Sequence, residues 1–136
     1  MNKNVAIKGL ILIVVAIILG AFVTHGLEGI LSPDKIDSFR VGVHYQLVGG
    51  MLLLIFGINF YSFNFPIYLQ TQLLFIGICL FSFSIYLLNL LPAGTLRKIM
   101  GPITPIGGLL MIISIILFIS SLSSLATNIG MAGLLI

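Results

Sequence analysis

Residues 20–50 read GAFVTHGLEGILSPDKIDSFRVGVHYQLVGG. This stretch holds both histidines, all three acidic residues and two of the six basic residues of the 136-residue chain. It is bracketed by hydrocarbon. Val5–Val23 precedes its polar part and Val41–Phe60 follows, and two further apolar runs lie at Thr71–Leu91 and Pro105–Leu125. Each approaches the roughly 20 residues that a helix needs to cross a hydrocarbon core about 30 Å thick. A soluble domain carries about a quarter charged residues. Here 7% are charged and 60% hydrophobic, with a mean hydropathy of +1.29, which excludes a water-soluble fold. The expected structure is an all-α integral membrane four-helix bundle, one domain over residues 1–136.

The first run contains Lys8, whose long side chain can snorkel toward the headgroups. Lys3 and Lys8 ahead of an apolar core also fit a signal peptide. Phe22-Val23-Thr24-His25 offers no small-x-small cleavage site, so the run is read as a retained helix. Ser32-Pro33-Asp34 is a helix-start pattern: a cap, a proline at the first position, an acid near the positive end of the helix dipole. Ile36, Phe39 and Val43 follow at helical spacing, predicting a short interfacial helix that runs into the second span. Thr104-Pro105 repeats the cap-and-proline pattern before the fourth span. Tyr61–Gln70 reads as an aromatic-rich turn broken by Pro66, and Leu91–Ile103 as a connection rich in breakers. Ser120–Thr127 (SSLSSLAT) is polar enough to end the last span, and the tail to Ile136 carries no pattern that assigns it.

The six basic residues are scattered, which excludes nucleic-acid binding and a polybasic lipid-binding run. Lys35, Arg40, Arg97 and Lys98 fall on one side of the membrane and Lys3 and Lys8 on the other. The positive-inside rule then leans toward both termini outside a plasma membrane.

Alternate threading of the spans brings one set of polar residues to one end of the bundle, whichever way the chain is oriented. His25 closes span one, while His44, Tyr45 and Gln46 open span two. Tyr86 and Asn89 close span three, and Thr104, Pro105, Gly107 and Gly108 open span four. The opposite end offers Tyr, Phe and Asn64. Polar groups in a membrane cost free energy unless paired, which marks such a cluster as a candidate site. The alternative is that these residues line the interface, where water satisfies them. Asp37, Arg40 and His44 share one helix face, so that Asp37 and Arg40 can pair. Cys79, Ser82, Tyr86 and Asn89 form another stripe, which should face the bundle. Ala16, Gly20 and Thr24, and Thr104 and Gly108, sit four apart, a spacing that lets helices approach closely.

Two histidines with Glu28 would suit a metal, but no HxxxH or HxH spacing organises them, and no metal or cofactor is expected. A proton relay through His25, His44 and Tyr86 rests on the threading alone. Cys79 lies mid-span with no basic neighbour in the sequence, and the serines lack a nucleophile motif. No catalytic residue is assigned.

GAFVTHGL (Gly20–Leu27), YQLVGG (Tyr45–Gly50), FSFSIY (Phe81–Tyr86) and TPIGG (Thr104–Gly108) together resemble the domain of unknown function 423 family of small four-helix membrane proteins. The likeness covers most of residues 9–118. Family members look like GAFGAHGL in span one, with a histidine soon after Tyr-Gln in span two and a glycine between serines in span three. Here those last two positions are Gly49 and Phe83, and the aromatic common later in span four is absent. The resemblance implies a bacterial integral membrane protein and no established activity. The expected function is a non-enzymatic structural or partner-binding component, working with the lipid bilayer and either as a homo-oligomer or with a membrane-protein partner. The alternative is a small oligomeric transporter or proton-coupled carrier that uses the polar end.

Overall fold

A computed structural model describes the backbone of residues 1–63, 65–92 and 94–134, and the side chains of these as far as 127 apart from that at 96. The expectations about Asn64 and the last two residues of the tail fall outside the described residues. The chain is all-helical: α1 (Lys3–His25), α2 (Pro33–Ile58), α3 (Tyr68–Leu90), α4 (Thr95–Met100) and α5 (Ile103–Leu134). Four of these helices are long and apolar enough to cross a membrane. α1 packs on α2, α2 on α3 and α3 on α5, and α4 rests against α3 and α5.

α2 is continuous through the interfacial segment and the second span, with Pro33 at its first position. Ser32 occupies the cap position in an extended conformation, but its side chain makes no capping bond. Between α1 and α2 the chain turns at Gly29, whose φ of 86° lies in the left-handed region that glycine adopts without steric cost. One expectation needs correcting. Thr104 is not a cap, since α5 already begins at Ile103, and its hydroxyl instead shares a 2.7 Å hydrogen bond with Ser84 on α3. The helix itself continues past SSLSSLAT to Leu134. Ser121, Ser123, Ser124 and Thr127 each donate to the carbonyl four residues back, at 3.0 Å, so their hydroxyls are satisfied within the helix. The breaker-rich connection also holds one short helix, α4, that the sequence did not announce.

Lipid tails are as apolar as leucine, so burial of hydrocarbon alone gives membrane helices little reason to associate. Close packing and hydrogen bonds must hold them together. The close approaches occur at glycines. A Cβ at Gly9 on α1 would lie 2.6 Å from the Leu54 backbone nitrogen on α2, and one at Gly57 would collide with the Ala6 backbone. On the other side of the bundle, a Cβ at Gly107 on α5 would collide with the Phe81 backbone, and one at Gly77 would sit 2.9 Å from the Gly107 carbonyl oxygen. Of the small residues singled out by spacing, Ala16 is fully buried and Thr24 is exposed. The core runs from Val5, Leu12, Leu53 and Phe56 to Leu74 and Ile78, with a second cluster of Val23, Leu27, Ile36, Phe39 and Tyr86 toward the other end.

Candidate functional site

The polar side chains at the predicted end divide into a buried set and an exposed set. Phe39, Gly42 and Gln46 lie on one face of α2, turned toward α3, and Ser82, Tyr86 and Asn89 form the facing stripe on α3. Gln46 is fully buried. Its Nε2 donates to the Leu12 carbonyl oxygen on α1 at 3.0 Å, and its Oε1 accepts from the Tyr86 hydroxyl at 2.8 Å. One amide therefore ties three helices together. Tyr86 stacks on Phe39 with ring centroids 4.5 Å apart. Gly42 makes room for it, because a Cβ there would lie 2.8 Å from Tyr86 Cε1. Ser82 donates to the Gly42 carbonyl oxygen at 2.9 Å, and Asn89 donates to Ser38 Oγ at 3.1 Å and to the Ile85 carbonyl oxygen at 2.8 Å.

This network reaches below the interface. Leu12 lies near the middle of the 23-residue α1, and Gln46 is about 20 Å along α2 from Pro33 at 1.5 Å per residue. Water at the membrane surface is therefore not what satisfies Gln46, Ser82 and Tyr86; neighbouring helices are.

The imidazoles take no part in it. His25 and His44 are both exposed, and among the described residues neither side chain makes a hydrogen bond. His44 contacts the edge of Tyr45 at 5.9 Å, and Tyr45, itself 47% exposed, meets Phe81 at 5.2 Å. Asp37 and Arg40 pair as their spacing suggests, at 3.2 Å, but on the exposed surface. Pro105 is exposed, and Gly108 is half-buried at the rim of a groove between α2 and α5. Among the described residues no three of His, Cys, Asp and Glu gather closely enough to hold a metal.

The α2–α5 groove has a volume of about 320 Å³, with Tyr45, Gly49, Leu52, Phe81 and Met111 among its lining, and is almost wholly apolar. The family resemblance implies a histidine at the position that Gly49 occupies. A Cβ there would stand 2.5 Å from Ile78 Cδ1, so a histidine at this position requires Ile78 to move. A second depression, of about 340 Å³ and open to solvent, lies between the Glu28–Leu31 turn and Asp37 and Arg40 on α2.

The opposite end is more polar than the sequence suggested. Ser114, fully buried, donates to the Gln70 carbonyl oxygen at 2.7 Å, and Gln70 Nε2 donates to Ser121 at 3.4 Å. Lys8 donates to Gln72 Oε1 at 3.3 Å and lies 4.6 Å from the centre of the Phe75 ring. The traces of this second cluster in the sequence are Gln70-Thr71-Gln72 at the start of span three and the single serine within residues 105–119.

Residues 19–108 match the family described as protein of unknown function DUF423. A UPF0382 membrane protein of Staphylococcus haemolyticus is 40% identical over 102 residues, covering 75% of this chain and 80% of the relative. The UPF0382 membrane protein YwdK of Bacillus subtilis is 36% identical over 119 residues, covering 86% of this chain and 94% of its own. A UPF0382 membrane protein of the yeast Schizosaccharomyces pombe is 37% identical over 100 residues, covering 69% of this chain and 80% of the relative. No solved structure matches. With the four membrane-length helices, these similarities establish the chain as a multi-pass membrane protein of the DUF423 family.

Proposed function

We propose that this protein is a non-enzymatic membrane component that presents a fixed helical body to a partner in the bilayer, either a second membrane protein or a copy of itself. The observation that carries the reading is how the buried polar groups are used. Gln46, Tyr86, Ser82, Asn89 and Ser114 bond neighbouring helices. A carrier needs polar groups lining a path, whereas the α2–α5 groove is almost wholly apolar. α5 packs mainly against α3 and leaves Ile106, Leu109, Ile112 and Ile116 outward, the apolar surface that a partner helix would cover.

We place the protein in the plasma membrane with both termini outside. Lys35, Arg40, Arg97 and Lys98 stand at the end formed by α4 and the start of α2, against Lys3 and Lys8 at the other. The test is cross-linking in native membranes from photoreactive residues placed at Leu109, Ile112 and Ile116 on the outward face of α5, alongside flux assays in proteoliposomes. One stoichiometric adduct with no solute or proton flux is expected. Flux that depends on Gln46 or Tyr86 would instead establish the carrier.

A further inference from the structure

We propose that Lys8 and Gln72 form a headgroup site for an anionic phospholipid in the leaflet nearest the start of α1. Lys8 is half-buried on α1 and reaches across to α3, where its ammonium donates to Gln72 Oε1 at 3.3 Å above the Phe75 ring at 4.6 Å. An ammonium has three donors and a full charge. An amide oxygen and a ring face orient it, but neither neutralises it. All three side-chain carboxylates of the sequence, Glu28, Asp34 and Asp37, belong to the opposite end of the bundle. Among the described residues no carboxylate lies at this end to balance the ammonium, and an anion bound from outside would do so.

Depth identifies its source. Exposed Tyr61 and Tyr68 mark the membrane boundary at this end, and Gln72 is one turn further in, about 6 Å at 1.5 Å per residue. The interfacial layer, where lipid phosphates and glycerol esters lie, is about 5–7 Å deep on each side of the hydrocarbon. Toward the bilayer centre the position is flanked by Ile11 on α1 and Ile76 on α3, 56% and 46% exposed, which offer apolar surface along which acyl chains can lie. A cation at the inner edge of the interfacial layer, with hydrocarbon directly beneath it, matches an amphiphile and not a free ion.

The test uses the purified full chain in neutral detergent, with native mass spectrometry and thermal melts after adding phosphatidylglycerol or phosphatidylcholine of identical chains. Retention of phosphatidylglycerol should exceed that of phosphatidylcholine by about five-fold, the usual contribution of one basic residue facing an anionic lipid. Lys8→Met, which keeps the packing stem, should bring the ratio to about one. Lys8→Arg should restore it, and Lys98→Met at the other end should leave it unchanged. Equal retention of the two lipids by the wild type overturns the proposal, and this measurement stands even if Lys8→Met fails to fold. Stabilisation by inorganic phosphate equal to that by phosphatidylglycerol also overturns it, because the site would then bind a small anion.

Discussion

Replacing Tyr86 by Phe removes one hydroxyl and leaves the ring on Phe39, so it isolates the hydrogen bond to Gln46. Gln46 is 0% exposed and Tyr86 6% exposed, so no bulk water replaces the lost donor and Gln46 Oε1 is left buried and unpaired. Hydrogen bonds between membrane helices average about 0.6 kcal/mol and reach about 1.7, and an orphaned buried acceptor costs about 1–3 kcal/mol. The structure places this bond at the high end, and Tyr86→Phe should destabilise the protein by about 1–2 kcal/mol. Gln46→Leu also loses the bond to the Leu12 carbonyl and orphans the Tyr86 hydroxyl, and it should cost about 1–3 kcal/mol. The double variant removes both polar groups and should be less destabilised than the sum of the two by about 1 kcal/mol. Equilibrium unfolding in mixed micelles of neutral and anionic detergent, read by circular dichroism, gives all four corners of the cycle. If Tyr86→Phe lies within about 0.3 kcal/mol of wild type and the two changes add, the Gln46–Tyr86 bond does not hold the helices together.

Gly42→Ala should push the Tyr86 ring off its seat and cost about 1–3 kcal/mol in the same assay, with loss of the Tyr86 near-ultraviolet signal. Gly57→Ala and Gly107→Ala, whose new methyls meet the backbones of Ala6 and Phe81, should each lose about 2 kcal/mol or more. Exposed Ala126 serves as the control, where Ala126→Gly should cost about 1 kcal/mol or less. His25→Ala and His44→Ala should each change stability by no more than about 0.5 kcal/mol, because both imidazoles are exposed. Single cysteines at Glu28 and Lys98, in a Cys79→Ser background, should label from the same side of sealed vesicles and one at Ser62 from the other. Labelling of Glu28 and Lys98 from opposite sides would break the four-span fold.

The sequence by itself determined the number of membrane-length helices and their order, while the tertiary structure showed that the interfacial segment and the second span are one helix. Number and order follow from hydropathy and helix-start chemistry, which are local properties. The sequence also identified the inward face of α3, because Ser82, Tyr86 and Asn89 are polar in an apolar run and a polar group facing lipid finds no partner. Elsewhere the spans are apolar on every side, so no stripe at helical spacing distinguishes the inner face from the outer. Only the tertiary structure decided that Gly9, Gly57, Gly77 and Gly107 form the seams, because a glycine's role depends on which backbone comes to lie against it. The depth of Gln46 was decided in the same way, by an acceptor 34 residues earlier in the chain. The imidazoles were the most conspicuous residues in the sequence, yet the rotation of α1 and α2 about their axes turned them outward. That rotation is set by contacts among residues far apart in the chain, and it moved the polar centre of the protein from its two histidines to one glutamine.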